Sequence, residues 1–338
     1  MLTIVVGGFF GDEGKGKVVS YLSLADRVKV GVRCGSVNAG HTVVMDGKIW
    51  KLRIVPSAFV NPTAKLLIAP GALVRLDVLM EELAATGCDG RLFLDPNTGV
   101  IEEIHVKREA SDALLRGRIG STLQGVGAAM SDRVLRRLRL AKDFKRLSGM
   151  LTDVPGVIHD AIKRGDNVLV EGTQGTYLSL YHGTYPYVTS RDTTASAFAS
   201  EAGIGPKDVD EVIVVFKAYV TRVGGGPLEG ELSADEVARR GWVERASVTG
   251  RLRRVAPFNL SLAKRAVMIN SATQAAITRV DALDREAYGV REWLKLPASV
   301  RRWVEEVEDA IGVPVTIIGT GPEVRSVVDR RHDLGLLK

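Results

Sequence analysis

The sequence predicts an α/β protein built on a large, mostly parallel central sheet with helices on both faces. Three observations predict it. Runs rich in Val, Ile and Leu, of strand length and apolar on both faces, recur along the chain and end in glycine or a polar cluster, as strands buried in a parallel sheet do. Stretches with apolar residues at helical spacing lie between them, so strand and helix alternate. The first run empties into a loop dense in glycine and charge, the kind of strand-to-helix turn where such sheets bind ligands.

The strand runs fall at residues 2–6, 28–32, 66–69, 91–94, 168–170, 211–220, 275–280 and 314–318. Helical spacing marks residues 76–85, 157–163, 262–270 and 300–311, the last with Trp303, Val304, Val307 and Ile311 on one stripe. No repeat, low-complexity tract or Pro/Ser linker divides the chain, so residues 1–338 are expected to form one domain with excursions at about 119–145 and 228–257. The first excursion holds a glycine-rich lead-in, GSTLQGVGAAM, followed by an expected basic helix with Arg133, Arg136, Arg137 and Arg139. Most of these arginines read as a solvated helix face, while the glycines favour one of them reaching a phosphate.

The 338 residues include 46 Lys and Arg against 40 Asp and Glu, a net charge of +6, with 45% hydrophobic and 25% charged residues, a globular composition. Basic residues are interleaved with acidic ones and aromatics make up 6%, which leaves little to stack bases on and speaks against a nucleic-acid partner. No run approaches the roughly 18 to 20 apolar residues of a membrane span. The start has no basic n-region and no cleavage site, so a cytoplasmic protein without membrane contact is expected. Cys34 and Cys88 fit no CxxC spacing and no disulfide framework, in keeping with a reducing compartment.

Residues 7–17 read GGFFGDEGKGK. From Gly11, through Asp12, Glu13, Gly14 and Lys15 to Gly16 and Lys17, the string is G-x-x-x-x-G-K, a P-loop-like pattern in which Val18 replaces the usual Ser or Thr. Backbone N–H groups of such a loop close around phosphate oxygens, which makes this a nucleotide-binding architecture. The hydroxyl that normally holds magnesium is missing, and Asp12 is the available hard oxygen donor. A plain turn between strand and helix would need none of these charges. After the second strand comes GSVNAGHT at 35–42, where His41 sits among small residues at a strand end. A lone histidine is more often structural, but this one can face the same pocket, and imidazole is the natural proton donor near neutral pH. Asp12 and His41 would then form a base and acid pair across one site.

GDEGKGK followed by NAGHT resembles the adenylosuccinate synthetase family. VEGTQGTYL at 170–178, HGTYPYVTSRDTTA at 182–195, KAYVTRVGGGP at 217–227, TRVD at 278–281 and GTGP at 319–322 extend the resemblance, in order, across nearly the whole chain. It implies GTP-dependent ligation of IMP and L-aspartate to adenylosuccinate, with GDP and phosphate released, on the route from IMP to AMP. It further implies that Asp12 removes the N1 proton of IMP so that O6 attacks the γ-phosphate, and that His41 supports charge on the transferring group and acts as general acid. The aspartate amine then displaces the 6-phosphoryl group. Gln174 is the third residue the resemblance places in catalysis.

The same resemblance implies one Mg2+ per subunit, held by the Asp12 carboxylate and the Gly40 carbonyl. GTP contacts are implied along residues 11–17 and at Gly40, His41, Thr42, Arg253, Arg279, Val280, Asp281, Gly319, Thr320 and Gly321. The Asp281 carboxylate suits guanine, because it can accept the N1–H and 2-amino hydrogens that adenine does not offer together. IMP contacts are implied at Asp12, Glu13, Gly14, Lys15, Asn38, Ala39, Gly40, His41, Thr122, Gln174, Thr189, Val223 and Arg251. Arg136 is implied to reach the 5′-phosphate in the other subunit's site, which makes the expected assembly a homodimer. Ser247, Val248, Thr249, Gly250, Arg251, Leu252 and Arg253 resemble the loop whose guanidinium groups clamp the two carboxylates of L-aspartate.

The chain departs from the family pattern at Phe9, where glutamine is usual, at Arg279, where lysine is usual, and at Leu252, where arginine is usual. The last change removes a cation near the aspartate carboxylates. The chain is also shorter than typical members, with the deficit after Arg139 and after Asp284, a form expected of some archaea. Two rival readings keep the phosphate loop. A P-loop-like ligase or kinase acting on another acceptor would hydrolyse nucleotide without IMP, and a GTP-binding sensor would need neither a base at Asp12 nor an acid at His41. Nucleic-acid binding through the basic helix would show as steep salt dependence.

Overall fold

The computed structural model describes residues 1–246 and 250–337. In chain order its strands are β1 (Leu2–Gly7), β2 (Val30–Arg33), β3 (His41–Met45), β4 (Lys48–Leu52), β5 (Lys65–Ile68), β6 (Leu73–Val74), β7 (Leu92–Leu94) and β8 (Gly99–Val100). There follow β9 (Val168–Glu171), β10 (Glu211–Lys217), β11 (Tyr219–Arg222), β12 (Arg254–Pro257), β13 (Gln274–Thr278), β14 (Val315–Gly319) and β15 (Val327–Asp329). Nine of these form one sheet in the order β15-β14-β13-β10-β1-β9-β2-β5-β7. Its pairs are parallel apart from β14 with β15.

Every apolar run read as a strand is a strand of this sheet. All residues of β1, β2, β9, β13 and β14 are buried, the burial that helices on both faces impose. Each fully covered side chain such as Leu2, Ile4 or Val5 contributes roughly 1.5–3 kcal/mol over its exposed state. The run at 211–220 is not one strand, however. β10 ends at Lys217, and from Tyr219 the chain leaves the sheet to pair antiparallel with β12. Burial continues through the break, so hydrophobicity could not mark it. Edge strand β15 and the pairs β3–β4 and β6–β8 lack apolar runs of strand length. The β3–β4 hairpin did carry a legible signal: Asp46 and Gly47 between its strands have φ of 50° and 77°, the turn whose twist matches a hairpin.

The four helices expected from periodicity occur at Leu76–Thr86, Val154–Lys163, Leu260–Asn270 and Ala298–Ile311. The basic helix is shorter than expected and spans Val126–Val134. Arg137 N–H turns back to the Asp132 carbonyl (2.8 Å) and Arg136 adopts a φ of 60°, so Arg136, Arg137 and Arg139 lie beyond the helix. Arg133 donates to the carbonyls of Pro70 (3.0 Å) and Asn97 (3.1 Å), and Arg139 pairs with Glu102 (2.9 Å). Those two tie chain segments together, while Arg136 stays exposed. Among the described residues no helix is long and apolar enough to cross a membrane.

Strands β1, β2, β9, β10, β13 and β14 run in one direction, so the loops that leave their C-terminal ends converge on one edge of the sheet. β1 lies between β9 and β10. From β1 the chain moves to β2 on the β9 side, and from β9 it crosses to β10 on the other, a switch point that opens a crevice for ligand. Beneath that edge Phe216 is fully buried, with its ring 4.9 Å from Phe9 and 5.8 Å from Phe258. Phe216→Ala should lower stability by about 3–5 kcal/mol in a denaturant titration, the cost of an aromatic cavity; a loss below about 1 kcal/mol would mean the ring stack is not part of the core.

Candidate active site

Beyond Gly7 the chain turns through residues 8–14 into helix α1 (Lys15–Ala25). Glu13 organises this turn from inside: its Oε1 accepts the N–H groups of Phe9 (3.0 Å) and Gly11 (2.8 Å), and its Oε2 takes Lys15 Nζ (2.7 Å). Lys15 also donates to the Gln174 carbonyl. Gly14 caps α1 at φ 90° with no side-chain cap, a left-handed conformation that suits glycine. The first N–H groups of the helix are thereby left for an anion. A Cβ on Gly175 would stand 2.5 Å from the Phe9 carbonyl oxygen and 2.6 Å from Gly11 N, so the Gln174 loop packs this closely on the phosphate loop through a glycine. Val18 packs into the core at 1% exposure. Lys17 donates to the carbonyls of Glu323 and Ser326, the latter at 2.9 Å, and burial pushes its pKa down to about 8. It latches α1 to the loop after β14.

Asp12 projects from this loop at φ 63°, and its Oδ1 meets Arg253 at 2.8 Å. Burial raises its pKa, while Arg253 and Lys217 pull the other way. His41 opens β3, and behind it lies a buried ion pair, Arg33 with Glu171, at 2.5 Å. Glu171 Oε1 also meets His41 Nδ1 and accepts Ser57 Oγ–H (2.7 Å), while its Oε2 accepts Ser57 N–H (2.6 Å). A guanidinium only donates and a carboxylate only accepts. His41 therefore directs an Nδ1 proton at Glu171, and the 2.5 Å approach of Arg33 to Nδ1 is a contact enforced by their shared acceptor. With Nδ1 so engaged, Nε2 is the ring nitrogen left for substrate. Burial, reinforced by Arg33, lowers the His41 pKa to about 3 despite Glu171, so the imidazole is neutral. Burial alone would raise the Glu171 pKa, but Arg33 and the hydrogen bonds from His41 and Ser57 hold it at about 2.

A second network lines the opposite wall. Glu244 receives Lys217 Nζ (3.0 Å), the Tyr219 hydroxyl and Arg253, with Arg279 at 3.8 Å. Burial opposes its ionisation, yet Lys217 and Arg253 bring its pKa to about 2. Asp12, Arg253, Glu244 and Lys217 thus form a row of alternating charge.

Both networks face one cavity of about 590 Å³. Residues 11–17, Asn38, Ala39, Gly40, His41, Thr42, Thr122, Gln174, Thr189, Val223, Arg251, Arg253, Arg279 and Gly321 all line it. The buried amide oxygens of Asn38 and Gln174 have no partner. Arg251 donates to the carbonyls of Gly120 (2.9 Å) and Ser121 (3.3 Å), which joins the two excursions over the cavity. Val280, Asp281, Gly319, Thr320, Gly250, Leu252 and Arg136 are not in the lining. Of these, Asp281 keeps a buried Oδ1 without a partner, the Thr320 hydroxyl donates to the Val290 carbonyl (2.7 Å), and Leu252 is 58% exposed. Ser247, Val248 and Thr249 lie outside the described residues.

The charged residues missed from sequence include Arg33, Glu171, Lys217 and Glu244, and in the cavity lining also Glu109, Arg222 and Arg245. Arg33, Glu171 and Lys217 carried a signal, since each ends an apolar strand, where a buried charge needs a partner or a site. Glu244 sits in an irregular segment and had no such mark.

The sequence model of the adenylosuccinate synthetase family matches residues 4–144 and 138–287. The chain is 49% identical to the adenylosuccinate synthetase of Methanocaldococcus jannaschii over 98% of its length and 97% of the relative's. It is 48% identical to that of Pyrococcus horikoshii, over 98% and 99% of the two chains. The short form is therefore shared with archaeal relatives. Among solved structures, a fully ligated adenylosuccinate synthetase from Plasmodium falciparum superposes with a TM-score of 0.89 at 23% identity, covering 97% of this chain and 99% of that one, and shows the same fold. The cyanophage S-2L succinoaminodeoxyadenylate synthetase, bound to dGMP and to dATP as an energy donor, superposes at 0.79 with 26% identity, over 99% and 97% of the chains. By sequence over nearly its whole length, and in keeping with its parallel sheet and phosphate loop, the chain belongs to the adenylosuccinate synthetase family, enzymes that join IMP and L-aspartate in a GTP-dependent ligation on the way to AMP.

Proposed function

We propose that this ligation runs through a 6-phosphoryl intermediate in the cavity at the C-terminal edge of the sheet, with Asp12 as base and His41 as acid. The observation that carries the reading is that Asp12, His41 and the uncapped start of α1 line the same cavity as the unpartnered amide oxygens of Asn38 and Gln174. Oxide is a poor leaving group from a purine, so the oxygen must first be phosphorylated. Asp12, its basicity raised by burial, takes the N1 proton of IMP; O6 then attacks the γ-phosphorus and GDP leaves. The aspartate amine attacks C6, phosphate leaves with O6, and the amine loses a proton. With its Nδ1 hydrogen held by Glu171, His41 takes up a proton from solvent at Nε2 as phosphate charge enters the site, and donates it from Nε2 to the transferring group as negative charge gathers there. Asn38 and Gln174 orient the IMP base, and Thr122, Thr189, Val223 and Arg251 complete its pocket.

The donor nucleotide lies along α1 and the loop after β14. The buried, unpartnered Oδ1 of Asp281 favours guanine, whose N1–H and 2-amino group both donate, over an adenine donor. A magnesium ion fits the donor set of Asp12 and the Gly40 carbonyl. Among the described residues no cluster of three or more His, Cys, Asp or Glu could hold a metal, so the ion would draw its remaining ligands from phosphate and water, as Mg2+ commonly does. Bound there, it would neutralise phosphate charge. Arg136, exposed and outside the cavity, reaches a 5′-phosphate only in a second copy of the chain; Val134 and Leu135, 70% and 52% exposed, give that contact an apolar surface.

Phosphate release from GTP should require IMP, L-aspartate and magnesium together and should match adenylosuccinate formed; release that ignores IMP would assign the phosphate loop to another acceptor. ATP should replace GTP poorly. Asp12→Asn should keep the fold and lower kcat by about 10²–10⁴-fold, the range of general acid–base catalysis, and near-normal turnover would remove Asp12 from the mechanism. Glu171→Gln should lower kcat by about 10²-fold or more, as expected for a carboxylate that orients a catalytic imidazole, with the KM for L-aspartate unmoved. A variant in which KM rises and kcat holds would make Glu171 a scaffold residue only.

A further inference from the structure

We infer that Arg245 is a specificity residue for L-aspartate, supplying on the outer face of the 244–253 hairpin the guanidinium that Leu252 lacks. The inference rests on reading residues 247–253 as the aspartate loop.

The hairpin is defined by its hydrogen bonds. Arg253 N–H donates to the Glu244 carbonyl (3.0 Å), Ala246 N–H donates to the Arg251 carbonyl (2.8 Å), and Arg245 and Leu252 form the antiparallel bridge between them. Opposed residues that are flanked by such bonds project to the same face, where antiparallel side chains approach most closely. Arg245 therefore stands beside Leu252, while Glu244, Arg251 and Arg253 belong to the other face. Leu252 is 58% exposed and offers the aliphatic stem of Arg245 an apolar neighbour. Arg245 donates to the Gly250 carbonyl (3.1 Å) and lines the cavity together with Arg251 and Arg253.

The charges around the cavity show why this arginine matters. Arg253 is matched by Asp12 and Glu244, Lys217 by Glu244, and Lys15 by Glu13. Those cations are already balanced by carboxylates of the protein itself. L-Aspartate brings two further carboxylates. Arg245 holds a neutral carbonyl, so its charge is available, and exchanging that carbonyl for a carboxylate gives a shorter, charge-assisted bond. Arg251, whose donors also meet carbonyls, serves from the inner face. Arg245 and Arg251, from opposite faces of the paired segments 244–246 and 251–253, then hold the two carboxylates of L-aspartate.

Steady-state kinetics on the full-length enzyme test this. Arg245→Ala should raise the KM for L-aspartate by about 10-fold or more, as loss of a charged hydrogen bond does, while kcat and the KM values for IMP and GTP stay within about twofold. Adding Leu252→Arg to that variant should restore much of the lost affinity, which a change in folding would not allow. The inference is overturned if the aspartate KM of Arg245→Ala is unmoved, or if all three KM values rise together. Arg251→Lys in parallel separates the two readings: if it raises the aspartate KM and Arg245→Ala does not, the loop stands and the role of Arg245 falls. If neither moves it, the aspartate-loop reading itself fails.

Discussion

The active edge of this molecule depends on one buried anion, the carboxylate of Glu171. Removing a carboxylate from water costs several kcal/mol, and the cost is offset only when its oxygens are fully engaged. Here they are met by Arg33 from β2, His41 from β3 and both the N–H and hydroxyl of Ser57. Glu171 itself ends β9. One side chain thus fixes two neighbouring sheet strands, the hairpin that carries His41 and the turn beneath it, and any shift among them leaves a charge without a partner. Glu13 does the same on a smaller scale in the phosphate loop, where it holds Phe9, Gly11 and Lys15. The phosphate loop and the His41 hairpin are in this way each fixed by a buried acid.

On the facing wall the charges alternate in sign. Asp12 is paired with Arg253, and Arg253 and Lys217 share Glu244. In this row of alternating charge each group is met by its neighbour, and Arg253 and Lys217 pull the Asp12 pKa down against the burial that raises it.

Much of this was legible in the residues and part was not. The eight parallel strands were readable because a strand covered on both faces must be apolar throughout. Asp12 and His41 could be expected to share a cavity because each sits in a glycine-rich loop at the end of a parallel strand, and both line it. Residues that work through long-range contact were not: Glu171 meets His41 across 130 positions, and no local pattern reports that. The basic helix was overextended for a related reason, since its end at Val134 is set by the turn back to Asp132 and not by any glycine or proline. The break between β10 and β11 escaped because the chain stays buried through it.

Transfer of the O6 oxygen of IMP to phosphate is what a 6-phosphoryl intermediate requires, and isotope labelling reads it. With 18O placed at the 6-position of IMP, one labelled oxygen should appear in the phosphate released for each adenylosuccinate formed. Phosphate without the label, with its new oxygen drawn from water, would mean that GTP is hydrolysed apart from the purine and would contradict the account.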